Sequence, residues 1–275
     1  MVEVNKIKIG DGNPFVLIAG PCIVENEEMI MQTADEINQI TSKLNIPYIF
    51  KSSYRKANRT NLNSFSGIGD DEALQILNKV KEEFNLPILT DVHTEDEINK
   101  AADVADILQI PAFLSRQTDL LLKAGSSGKV VNIKKGQFLA PHDMKHIIGK
   151  VESTGNKKIL LTERGSTFGY HNLVVDMRSL VIMREFGYPV VMDATHSVQL
   201  PSQKETSGGE PKFIKPLARA AAAVGIDALF LEVHPDPQNA LSDAASQLPI
   251  DQLRKLLFET KEIDDIVKNF RSEDN

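Results

Sequence analysis

One cysteine, Cys22, and no tryptophan occur among the 275 residues. A lone thiol cannot close an intrachain disulfide, which suits a reducing compartment. No apolar run approaches the roughly 20 residues that span a bilayer, so no membrane partner is expected. Residues 1–6 carry neither the apolar stretch nor the small-residue cleavage site of a signal peptide, and a cytoplasmic location is the expectation. A basic excess is also missing. With 31 Lys and Arg against 38 Asp and Glu, the formal charge is −7, which argues against a nucleic-acid partner. A local cluster of Lys and Arg still overrides that sign for a small anionic ligand. Repeats of solenoid length and low-complexity tracts are absent as well.

What the sequence holds instead is a strict alternation. Short β-branched runs at 15–19, 48–51, 88–91, 107–110, 130–134, 159–162, 190–193 and 228–232 read as buried parallel strands. Between them lie longer stretches of helical period, among them 28–44, 71–84, 176–186 and 252–270. Pro47, Pro87, Gly155, Pro189 and Gly225 punctuate the junctions. Eight such units without a composition break predict one (β/α)8 barrel, an α/β fold, over residues 1–275. An open doubly wound sheet is the alternative, since alternation alone cannot show closure. Alternating Val2, Val4, Ile7 and Ile9 predict a short ribbon at 1–12 outside the barrel, and the polar stretch 202–212 reads as a mobile loop.

In such barrels the active site is built at the C-terminal strand ends. Every predicted strand stops on polar groups: Cys22, Lys51 to Ser53, Asp91 and His93, Gln109, then Asn132 with Lys134 and Lys135. The last three strands give Glu163 and Arg164, Asp193 and His196, and Glu232 and His234. Any one of these is ordinarily a helix cap or a loop residue, but packing alone does not ask for the whole set, and the set points to an enzyme. Lys51, Lys56, Arg59, Arg116, Lys134 and Arg164 fall on that face, enough cations for two phosphates, or for a phosphate and a carboxylate. Cys22, His196, Glu232 and Asp243 make a mixed soft and hard donor set suited to Zn, Fe, Mn or Co. Cys22 alone also reads as a small buried hydrophobe, or as a nucleophile with His196 as its base.

Longer motifs narrow this. Ala19-Gly20-Pro21-Cys22 resembles the opening motif of synthases that join phosphoenolpyruvate to a phosphorylated aldose. Lys56-Ala57-Asn58-Arg59-Thr60 is similar to the signature of the 3-deoxy-D-manno-octulosonate 8-phosphate synthase family, whose erythrose 4-phosphate relatives carry Lys-Pro-Arg-Thr there. Gln109-Ile110-Pro111-Ala112-Phe113-Leu114-Ser115-Arg116, Asn132-Ile133-Lys134-Lys135-Gly136-Gln137, Thr162-Glu163-Arg164-Gly165, Asp193-Ala194-Thr195-His196 and Glu232-Val233-His234-Pro235 match as well. The likeness covers nearly the whole chain. Cys22, where the metal-independent branch has Asn, and Ser242-Asp243-Ala244-Ala245, where that branch usually has Cys-Asp-Gly-Pro, resemble the metal-dependent branch.

The resemblance implies a homotetramer that makes the octulosonate sugar of lipopolysaccharide, with one divalent metal per subunit on Cys22, His196, Glu232 and Asp243. It implies a phosphoenolpyruvate site of Lys51, Gln109, Lys134, Arg164 and His196, with Gln137 among the substrate-binding residues. Its arabinose 5-phosphate site comprises Lys56, Asn58, Arg59, Thr60 and Asp91, with Arg116 from a neighbouring subunit. Lys51, His196 and Asp243 are the implied catalytic residues. Two rivals stay open at this level: a Schiff-base aldolase using Lys51 or Lys134, and a sugar-phosphate binding protein without turnover.

Overall fold

The computed structural model describes residues 1–57, 64–168, 172–200 and 208–273. Eight strands are β1 (Val16–Gly20), β2 (Tyr48–Lys51), β3 (Ile88–Asp91), β4 (Ile107–Ile110), β5 (Val130–Lys134), β6 (Ile159–Glu163), β7 (Val190–Asp193) and β8 (Ala228–His234). Eight helices follow them in turn: α1 (Glu27–Leu44), α2 (Asp70–Phe84), α3 (Glu95–Val104), α4 (Thr118–Ser126), α5 (Met144–Glu152), α6 (Arg178–Arg184), α7 (Ile214–Val224) and α8 (Ile250–Glu273). Each strand pairs in parallel with the next. β8 also pairs with β1, Leu229 opposite Leu17, and β7 with β8, Met192 opposite Leu229. The sheet therefore closes, and the open-sheet alternative falls.

Side chains alternate across a strand, so each strand feeds two cores. Leu17, Phe50, Ile88, Leu108, Val131, Leu161, Met192 and Leu231 face the helices. Val16, Ile18, Ile49, Leu89, Ile107, Val130, Leu160, Val191, Ala228 and Phe230 make a second cluster, and only a barrel interior gathers residues from all eight strands. Residues Val2–Val4 pair antiparallel with Ile7–Ile9, and Val2, Val4 and Ile9 join that interior cluster, so the ribbon stoppers the end where the strands begin.

Junction chemistry sets where the elements stop. The Asn26 side chain accepts from the Met29 amide at the start of α1, and Asn45 and Asn85 end α1 and α2 in the left-handed conformation. Helix α6 is shorter than the predicted 176–186: it begins after Met177, where the Asp176 side chain accepts from the Arg178 amide, and it ends at Arg184, three residues before Gly187 turns the chain at φ 82°. Strand β8 runs two residues past the predicted 232, where Leu248–Pro249 pairs with its end. Of the 202–212 stretch, residues 202–207 lie outside the described residues. Gly208–Gly209 is paired with Gln199–Leu200 and Pro211–Phe213 forms a 3-10 turn, so 208–212 is structured.

Candidate active site

Moving two residues up each strand from the interior cluster changes its chemistry. Ile49 gives way to Lys51, Leu89 to Asp91, Ile107 to Gln109, Val130 to Asn132, Leu160 to Thr162, Val191 to Asp193 and Phe230 to Glu232. Two more residues bring Cys22, Ser53, Lys134 and Arg164 over the same mouth. Phe230 is the floor: Lys134 Nζ stands 4.0 Å and Lys51 Nζ 5.6 Å from its ring centroid. The alternation also corrects the strand-end reading. Lys135 and Glu163 have the opposite parity, form an ion pair at 3.6 Å outside the mouth, and are locked there by Ser166 and Ser179.

On β1 the layer has no side chain. A Cβ on Gly20 would lie 2.2 Å from the Lys51 carbonyl oxygen, with φ at 154°. Gly20→Ala is therefore expected to destabilise the protein by about 1–3 kcal/mol. Gly149→Ala, in open space within α5, should instead stabilise it by about 0.5–1 kcal/mol. Urea titration of both variants checks the contrast.

Lys51 Nζ donates to the Cys22 carbonyl at 3.2 Å, Ser53 Oγ at 3.2 Å and Glu232 Oε1 at 3.1 Å. Burial works to lower its pKa, but Glu232 and Asp91 outweigh that and hold it above the ordinary lysine value. Burial wins at Lys134, which lies below that value although Asp193 Oδ2 accepts from it at 2.7 Å. Asp193 Oδ2 also meets His196 Nδ1 at 2.8 Å, while Oδ1 accepts from the His196 amide at 2.9 Å, so the imidazole is fixed with Nε2 3.5 Å from Glu232 Oε1. Burial pushes the Asp193, Glu232 and Asp91 carboxyls up. His196 and Lys134 overcome this for Asp193, His196 and Lys51 for Glu232, and Lys51 and Lys134 for Asp91, leaving all three below the usual range. Arg164 donates to Gln199 Oε1 at 3.0 Å, yet its buried Nε has no partner among the described residues, and neither has Gln137 Oε1.

At the β1–β8 edge, Cys22 Sγ, a Glu232 oxygen and an Asp243 oxygen lie within 4.8 Å of one another. Cys22 Sγ is 3.2 Å from Asp243 Oδ2, and the buried Glu232 Oε2 has no hydrogen-bond partner among the described residues. One soft and two hard donors around an orphaned oxygen fit a divalent cation. His196 stands beside this group, touching it through Glu232. Lys56 Nζ also reaches it, 3.5 Å from Asp243 Oδ2 and 3.9 Å from Glu232 Oε1. Burial, then Asp243 and Glu232, push the Cys22 thiol well above its ordinary pKa. The Cys22 amide donates to Gln247 Oε1 at 3.2 Å and Gln247 Nε2 to the Ser242 carbonyl at 2.9 Å, which ties Cys22 to the loop carrying Asp243.

Of the residues singled out from sequence, Lys51, Lys56, Asp91, Lys134, His196, Glu232, Asp243 and Cys22 meet in this mouth through the contacts above, Gln109 joins them by donating to Asp91 Oδ1 at 2.7 Å, and strand parity places Arg164 over the same mouth. Arg116 does not. It is exposed after β4, and its carbonyl accepts from Lys150 Nζ at 3.0 Å. Asn58, Arg59 and Thr60 lie outside the described residues. Strand parity, applied to 49–51–53 and 160–162, keeps Ser53 from the strand-end reading and adds Thr162, which that reading passed over. Gln247 comes from a loop and has no comparable signal.

The model of the DAHP synthetase I family matches residues 1–269. The chain is 54% identical over 97% of its length to the 2-dehydro-3-deoxyphosphooctonate aldolase of Trichlorobacter lovleyi, covering 98% of that protein. It is 55% identical over 97% of its length to the protein of that name in Geobacter metallireducens, again 98% of it. The Rickettsia typhi protein of the same name is 55% identical, with 98% of each chain covered.

Proposed function

The chain belongs to the DAHP synthetase I family and, within it, to the 2-dehydro-3-deoxyphosphooctonate aldolases, and from that premise we propose that it condenses phosphoenolpyruvate with arabinose 5-phosphate. The products are 3-deoxy-D-manno-octulosonate 8-phosphate and inorganic phosphate, with one water consumed. The observation that carries this reading is the ring of buried polar groups from Lys51 to Glu232, four of them ionisable (Lys51, Asp91, Asp193 and Glu232), that replaces the apolar layer at one end of the barrel.

Lys134 and Arg164 hold the carboxylate and phosphate of phosphoenolpyruvate, and Arg164 Nε is the donor still to be satisfied. Water adds at its C2 while C3 forms the new bond to the aldehyde carbon. Lys51, kept protonated by Glu232 and Asp91, faces the developing alkoxide and supplies its proton. The C2–O bond of the hemiketal phosphate then breaks, and phosphate leaves with the electron pair as C2 becomes the ketone. His196 is held by Asp193 through Nδ1, so Nε2 is the nitrogen that would face the cation, and a carboxylate oxygen of Asp243 takes the proton of the water. Cys22, Glu232, Asp243 and His196 hold the divalent cation, which supplies Lewis acidity and orientation when bound.

Lys56, Asn58, Arg59, Thr60 and Asp91 take the sugar phosphate, and Gln109 and Gln137 complete the substrate contacts. Arg116 acts across the interface of a homotetramer, consistent with its exposure in one chain. Arg116→Ala is expected to cost about 2–4 kcal/mol in kcat/KM, mainly through KM for the sugar phosphate. Mixed oligomers of Arg116→Ala and Lys51→Met subunits should recover part of the activity, and failure of every mixture would place Arg116 in its own subunit's site. The aldose assignment is tested by comparing kcat/KM for arabinose 5-phosphate and erythrose 4-phosphate. The five-carbon sugar should win, and a preference for the four-carbon sugar would overturn the assignment.

A further inference from the structure

A continuous set of hydrogen bonds crosses five adjacent strands under the mouth; Lys51, Asp91 and Gln109 have a role in the proposed condensation, and Ser53, Asn132 and Thr162 have none. On β6, Thr162 Oγ1 donates to Asn132 Oδ1 at 2.7 Å. On β5, Asn132 Nδ2 donates to Gln109 Oε1 at 2.8 Å, and on β4, Gln109 Nε2 donates to Asp91 Oδ1 at 2.7 Å. From the other side Lys51 Nζ donates to Ser53 Oγ at 3.2 Å, and Ser53 Oγ donates to Asp91 Oδ2. Thr162, Asn132, Gln109 and Ser53 are buried, so water does not stand in for a lost partner.

The direction of this chain is set at both ends. An ionised carboxylate only accepts, so the Gln109 nitrogen faces Asp91 and the Gln109 oxygen faces Asn132. The Asn132 oxygen is then left for the single hydroxyl proton of Thr162. Turning over either amide would oppose two oxygens or two N–H groups in a buried site.

We infer that Asn132 and Thr162 are positioning residues: they lock Gln109 so that both Asp91 oxygens are held and the carboxylate stays turned toward Lys51. Its kinetic consequence rests on the condensation reading; the chain of bonds does not. Asp91 Oδ2 lies 3.6 Å from Lys51 Nζ, so a rotated carboxylate would leave that ammonium held by Glu232 without its second anion.

The test reverses the chain. Asn132→Asp keeps the shape but, when ionised, accepts from Gln109 and turns the Gln109 oxygen onto Asp91. Adding Asp91→Asn restores a donor opposite every acceptor with the polarity inverted. The expected result for Asn132→Asp is a lower melting temperature and a kcat at least roughly tenfold lower. The double variant should regain melting temperature while kcat stays about a hundredfold or more below the parent, because the charge has moved from β3 to β5. Thr162→Val should lower kcat roughly tenfold at unchanged KM for both substrates, with Thr162→Ser restoring it to within about twofold. Parental kcat in Asn132→Asp or Thr162→Val, or a double variant no more stable than Asn132→Asp, overturns the inference. If neither Asn132 variant folds, the Thr162 pair decides. A parent protein without phosphoenolpyruvate turnover sinks the condensation reading, and the melting comparison still judges the chain of bonds.

Discussion

Lys51→Met is expected to lower kcat at least about a thousandfold, the cost of removing a donor aimed at developing negative charge in a water-poor site. Methionine matches the length of the lysine stem and leaves the interior layer filled, so the loss isolates the ammonium. It also strands Glu232 and Asp91, which lose the cation 3.1 Å and 3.6 Å away. Breaking a buried pair from one side costs about 3–5 kcal/mol. The acid limb of stability gives the sign. In the parent the Asp193, Glu232 and Asp91 pKa values are below their unfolded ones. They contribute stability above pH about 4, and it is lost as pH falls from there toward the folded values. Without Lys51 the Glu232 and Asp91 values rise, so acid unfolding should begin at higher pH. Melting temperature measured from pH 3 to pH 8 for parent and variant checks this. An unchanged acid limb would remove Lys51 from the centre of the network.

Removal of the divalent cation is the second large effect. Exhaustive chelation is expected to abolish turnover, and Mn, Co, Fe or Zn should restore it to differing degrees. The Cys22 thiol carries the most information, because burial and the Asp243 and Glu232 carboxylates hold its proton. An ion must displace that proton, so apparent affinity should weaken by about tenfold per pH unit as pH falls below the thiol pKa. Competition with a chromophoric chelator at pH 6, 7 and 8 measures the slope without reference to activity. Cys22→Asn should bind metal poorly by elemental analysis, while Lys51, Lys134 and Arg164 remain in place and support some chelator-resistant turnover. Full activity of the metal-free parent would return Cys22 to the part of a buried structural thiol.

Much of this mouth is legible in the chain because parallel barrel strands are short and obey a two-residue period. Ile49-Phe50-Lys51 and Leu89-Thr90-Asp91 each show an interior apolar residue followed, two positions on, by an ionisable one. The same period was the criterion that separates Lys134 from Lys135, and a reading by strand ends alone could not make that separation. Helix stops were half visible: the prolines and glycines marked the junctions, but Asn45 and Asn85 act through a left-handed backbone that composition does not announce. Loop residues are the least legible. Gln247 meets Cys22 only because the segment after β8 folds back across β1, a contact spanning 225 positions.

The reaction itself is tested most directly with phosphoenolpyruvate labelled with oxygen-18 in its bridging C–O–P position, incubated with arabinose 5-phosphate and the metal-loaded protein. The expected result is one inorganic phosphate for each eight-carbon sugar acid, with the label leaving on the phosphate. Phosphate released without the eight-carbon acid, or label retained in that acid, would contradict condensation by C–O cleavage at this barrel mouth.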